Sequence, residues 1–168
     1  AMSIPLRLHP DYNINPFSNV AVKNTPPAIR LAETGPDTKG PLALLAAAPV
    51  RTTAKGSPLL LPLWAADDGK FASATMAPPR SLPVPVGLIW SKYRGHGTVT
   101  FDKTTPAMDI LAGGALNVPF RGKATATARF SEPGDYVLHV TANDFSGEGG
   151  SGELCCWSTA LVKVHVQP

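Results

Sequence analysis

Two runs in the C-terminal half decide the fold class of this chain. Tyr136, Leu138, Val140 and Ala142 fall on every second residue, and so do Ala160, Val162, Val164 and Val166, with Lys163 and His165 between them. A period of two puts one set of side chains on a single face of an extended strand, whereas a helix would need a period near 3.6. The same alternation recurs at Val86, Leu88 and Trp90. Turn signals separate the runs: Ala54-Lys55-Gly56-Ser57, Asp67-Asp68-Gly69, Arg94-Gly95-His96-Gly97 and Glu132-Pro133-Gly134-Asp135. The 168 residues include 18 Pro and 15 Gly, and only 16% are charged, against roughly 25% in an ordinary globular chain. That composition suits short strands joined by many turns and leaves little material for charged amphipathic helices.

The spacing predicts strands over Val50–Thr53, Leu59–Ala66, Val84–Tyr93, Thr98–Phe101, Gly122–Phe130, Tyr136–Ala142 and Leu154–Val166, with a short edge strand at Ala28–Ala32. Pro83 and Pro85 stand at the start of their strand, where a ladder tolerates a missing N–H. Lys103–Phe120 reads as an irregular insertion and Asn143–Glu153 as a glycine-rich loop. Residues 1–27 read as an extended arm or linker, and 28–168 as one domain with its regular body over about 50–166. The expected architecture is an all-β, antiparallel β-sandwich of about seven strands.

Three stretches resemble bacterial immunoglobulin-like and PKD-like domains: Ala54–Leu61 running on through Asp67-Asp68-Gly69, Trp90–Phe101, and Phe130–Asp144. The similarity spans roughly residues 50–166. It implies that Trp90 is buried against the opposing sheet and that Tyr136, after a Pro-Gly turn, occupies the position of a tyrosine corner. In place of the acidic turn that follows the tryptophan in PKD domains, this chain has Ser91–Gly97. The resemblance implies an exported bacterial module used for spacing, adhesion or binding beside polysaccharide-processing enzymes. Its location would be periplasmic or secreted, with Ala1-Met2 read as a cloning remnant and the export signal removed.

One loop suggests a metal. Asp144-x-Ser146-x-Glu148-Gly149 carries oxygen side chains at alternate positions before a glycine, a rhythm that calcium loops use to converge on one cation. The loop after the second strand and the last hairpin loop share one end of an immunoglobulin-like sandwich. Asp67 and Asp68 could therefore approach Asp144, Glu148 and Glu153 to hold calcium. The alternative is a solvated loop whose acids bond turn amides.

Cys155 and Cys156 are the two cysteines. Neighbouring strand residues face opposite ways, which leaves one buried and one half-exposed thiol; the other reading is a vicinal disulfide, formed in an oxidising compartment across Cα atoms about 3.8 Å apart. Trp157, Trp64 and Tyr93 are candidates for stacking on a polysaccharide. His139 and His165 are expected on the polar face of paired strands, where two ligands alone make a poor metal site.

Several function classes lack their signatures. The net charge of +3 comes from scattered basic residues rather than a patch, so no nucleic acid is expected as partner. No run approaches the ~18 apolar residues of a membrane span. There is no Gly-x-Ser-x-Gly elbow, phosphate loop, His-Glu-x-x-His or Cys-x-x-Cys, and the chain is expected not to be an enzyme. A polysaccharide or another extracytoplasmic protein is the expected partner.

Overall fold

A computed structural model of the chain describes residues 25–40, 50–70, 84–115, 117–144 and 156–168. These residues form nine strands and no helix: β1 (Ala28–Arg30), β2 (Arg51–Ala54), β3 (Leu59–Asp67), β4 (Val86–Arg94), β5 (Val99–Phe101), β6 (Asp109–Ala112), β7 (Phe120–Phe130), β8 (Gly134–Asp144) and β9 (Trp157–Gln167). They build two sheets. One runs in the order β1-β3-β7-β5, with β6 also on β7; the other runs β2-β9-β8-β4. The molecule is a β-sandwich, with pairing that is antiparallel except between β2 and β9, which run parallel.

The long strands form because their parity matches a two-layer core. In β7 Ala124, Ala126 and Ala128 face in while Thr125, Thr127 and Arg129 face out. In β8 Tyr136, Leu138, Val140 and Ala142 face in, and in β9 Ala160, Val162, Val164 and Val166 do the same. The small alanines of β7 leave room for the aromatic groups of the opposing sheet. Trp90, on β4, is 2% exposed and stacks 6.5 Å from Phe101; Phe130 tilts against Tyr136 at 4.9 Å. Trp90 thus lies in the core, as expected.

Three details differ from the sequence reading. The strand count is nine rather than about seven. The stretch 103–120 is not wholly irregular, because β6 pairs with β7 through Asp109↔Lys123 and Ile110↔Gly122. Every residue of β6 is exposed, so it carries no alternation to betray it. And β2 lies parallel to β9, through Arg51↔Val164 to Ala54↔Gln167, so the sandwich is not purely antiparallel. Of the arm expected over residues 1–27, residues 1–24 lie outside the described residues.

The sandwich has two distinct ends. At one, Ala28 pairs with Ala66, Thr25 hydrogen-bonds Asp68, and Asn143 pairs with Trp157. At the other, Gly56 N–H donates to the Phe130 carbonyl and Lys55 N–H to the Gln167 carbonyl, joining the two sheets. The first and last described strands therefore begin and finish at opposite ends of the body.

Candidate functional site

The end where β3 and β8 finish is the one the acidic residues were expected to share. Asp67 continues the inward series Leu61, Leu63, Ala65, and Asp144 continues the inward series Leu138, Val140, Ala142. Strand parity thus drives two carboxylates between the sheets from opposite layers. Both are buried, Asp67 at 8% and Asp144 at 2% exposure. The Asp67 Oδ2 accepts a 2.7 Å hydrogen bond from the Gly69 N–H, which forms the turn. Its Oδ1 is buried and has no hydrogen-bond partner.

Burial pushes the Asp67 carboxyl up to about 6, and the negative charges of Asp144 and Asp68 push the same way, against the pull of the Gly69 and Asp68 amides. Asp68 behaves differently although it is adjacent. The parity of the strand turns it outward, where Lys70 Nζ lies 3.0 Å from its Oδ2 and the Lys70 N–H donates to its Oδ1 at 3.0 Å. Thr25 Oγ1 also donates to Asp68 Oδ2, at 3.4 Å. So the structure brings Asp67 and Asp144 together, and it ties Asp68 to Lys70 and to the incoming chain. Among the described residues no cluster of three or more acidic, histidine or cysteine side chains has the geometry of a metal site. Ser146, Glu148, Glu153 and Cys155 lie outside the described residues.

Cys156 sits against this same end. Its carbonyl accepts the Asp144 N–H at 3.2 Å, its φ is +74°, and its sulfur is in a disulfide. A cysteine in the left-handed region is unusual and marks a sharp local change of direction just before β9.

The three aromatic candidates do not share a face. Trp64 is on the outside of the first sheet, where its cross-strand neighbour Lys123 holds Nζ 4.9 Å from the ring centroid. Tyr93 and Trp157 are on the outside of the second sheet, at opposite ends of it. Tyr93 is 58% exposed and tilts against His139 at 6.4 Å; Trp157 is half-buried opposite Asn143.

Two histidine–carboxylate contacts at the far end went unread in the sequence. The sequence reads Glu132–Asp135 as a turn and nothing more. Instead His96 Nε2 lies 3.0 Å from Glu132 Oε2, and His165 Nδ1 lies 2.7 Å from Asp135 Oδ1. The partners are far apart along the chain, so no local signal announces them. His139 pairs with Leu161 rather than His165, which removes the two-histidine arrangement.

No protein-family model matches this chain, and no curated protein does. Among solved structures it is similar to the crystal structure of the S-layer protein SbsC domains 4 and 5, at TM-score 0.37 and 11% identity, over 73% of this chain and 49% of that one. The chain thus spans about half the length of that neighbour. Similarity at this level establishes no shared family.

Proposed function

We propose that this chain is a non-enzymatic, exported β-sandwich module that spaces or presents its neighbours outside the cytoplasm. The observation that carries the reading is the path of the chain through the body. Within the described residues, β1 starts at the end that holds Asp68, and β9 finishes at the opposite end beside Ala54. The eleven residues of β9 give the body a length of roughly 35 Å.

Two further features support it. The strand order β1-β3-β7-β5 facing β9-β8-β4 corresponds to the two sheets of a constant-type immunoglobulin sandwich, with β2 added beside β9. Tyr136, hydrogen-bonded to the Glu132 carbonyl, fits the tyrosine corner of that fold. We therefore read the domain as immunoglobulin-like. The disulfide at Cys156 favours an oxidising compartment.

A polysaccharide-binding role is the second reading. Exposed Tyr93 favours it, while the dispersal of Trp64, Tyr93 and Trp157 over two sheets favours spacing. Tryptophan fluorescence titrated with a series of glycans separates the two: a flat response is expected, and a saturable quench lost in Trp157→Ala or Trp64→Ala would establish the binding module instead. Turnover of any substrate, abolished by a point substitution, would overturn the non-enzymatic reading.

A further inference from the structure

The outer strands of the sandwich are not equally protected. Beside β1, Ile29 exchanges two 2.9 Å backbone hydrogen bonds with Thr38, and beside β4 the Trp90 N–H donates to the Thr104 carbonyl at 2.7 Å. β6 has no such cover: among the described residues its backbone pairs with β7 alone. All four of its residues are exposed, Ile110 at 53% and Leu111 at 60%. A strand edge with unpaired N–H and C=O groups is a template for a further strand, and apolar side chains beside it gain from being covered.

We propose that the open edge of β6 docks β6 of a second copy of this chain, the two strands running antiparallel about a twofold axis. The charges at the two ends of the strand commit the edge to that occupant. Asp109 opens β6 opposite Lys123, and Ala112 closes it opposite Arg121. Asp109 and Arg121 are both exposed, and neither forms an ion pair with a described residue. Lys123 holds its Nζ over the Trp64 ring, 4.9 Å from the centroid. Antiparallel pairing brings the Asp109 end of one copy to the Ala112 end of the other. Arg121 of that copy then stands two strands away, roughly 10 Å across the ladder and within reach of its long side chain. The twofold axis repeats the contact, while Ile110 and Leu111 of the two copies meet between the two charge pairs. A parallel arrangement would instead set Asp109 beside Asp109.

The register shift between Ile110 and Ala112 makes Leu111 an extra residue that bends the strand. It holds the shared ladder to the short length of β6, so the association is weak and shows itself only when copies are crowded. The two first sheets join edge to edge into one sheet across the pair. The contact is lateral, so it goes beyond spacing and does not depend on that reading.

The test is sedimentation of the full chain from about 10 μM to about 1 mM, for the wild type, Leu111→Lys, Asp109→Arg and Arg121→Asp. The wild type should shift from monomer towards dimer as concentration rises, and Leu111→Lys should stay monomeric. Asp109→Arg and Arg121→Asp each set like charges together and should weaken the dimer about tenfold or more. An equimolar mixture of those two variants should regain it, because every contact between unlike copies then joins an arginine to an aspartate. A wild type that stays monomeric throughout assigns the edge to some other strand, or to none, and overturns the proposal. Self-association that survives Leu111→Lys, or a mixture that regains nothing, overturns it as well.

Discussion

The hydroxyl of Tyr136 donates a 2.8 Å hydrogen bond to the carbonyl of Glu132, closing the turn between β7 and β8 from inside the core. The ring is 1% exposed, yet its polar tip is paired. Tyr136→Phe keeps the ring and deletes the bond, leaving the Glu132 carbonyl short of a donor. The expected loss is about 1–2 kcal/mol, read as a lower urea midpoint at unchanged slope.

Gly95 lies against the same ring. Its φ is +124°, and a Cβ there would meet Tyr136 Cδ1 at 2.2 Å. Gly95→Ala therefore has to bear both backbone strain and a clash with a buried ring that has no room to yield. It should cost more than about 2 kcal/mol. Gly56→Ala is the control: φ is +72° and nothing stands within 4 Å, so only the conformational penalty of about 1–2 kcal/mol applies. Denaturant melts of the two variants should rank in that order.

Trp90 fills the centre of the sandwich with its Nε1 buried and without a partner. Trp90→Ala should lose about 3–5 kcal/mol through the cavity it leaves. Trp90→Phe should lose much less than that, because the lost area is offset by removing an N–H that was never paired. Paired calorimetric scans of the two variants would expose the difference.

Stability should depend on pH through Asp67. Its carboxyl is raised from 3.8 to about 6, chiefly by burial, so the folded protein binds a proton that the unfolded chain has released. In metal-free buffer that contribution is fully present below the unfolded value. It is lost as the pH climbs through the window to about 6, above which the curve levels off. Asp67→Asn should flatten the slope. Asp102 acts in the opposite sense: the Thr127 N–H, 2.7 Å from its Oδ1, holds its carboxyl below the usual range. Its contribution is present above the ordinary aspartate value and fades as the pH falls. Urea midpoints from about pH 4 to about pH 7 would trace the Asp67 limb.

The strands that could be read from the sequence are those with one wet and one dry face. Leu61, Leu63 and Ala65 in β3, and the alternating sets of β8 and β9, announce themselves because burial selects every second residue. β6 did not, since an edge strand exposed on every residue has no parity to display. The parallel alignment of β2 on β9 was hidden too, because four residues of half-exposed Arg51–Ala54 say nothing of which strand they will find. At the acidic end, the meeting of Asp67 with Asp144 was legible from strand ends and topology together. The diversion of Asp68 to Lys70 was not foreseen, although it follows from the same alternation that turns Asp67 inward.

The lone parallel pairing has a mechanical consequence. Tension applied between Thr25 and Gln167 pulls along the strands, and β2 and β9 lie side by side with β9 leading directly to the pulled end. Once β1, which Thr25 loads first, has given way from β3, the rungs from Arg51↔Val164 to Ala54↔Gln167 are loaded together in shear. None can open ahead of its neighbours as in a zipper. Resistance of that kind is set by the rate of rupture rather than by equilibrium stability. Four short residues of β2 would act as the fastener that keeps a stretched chain folded.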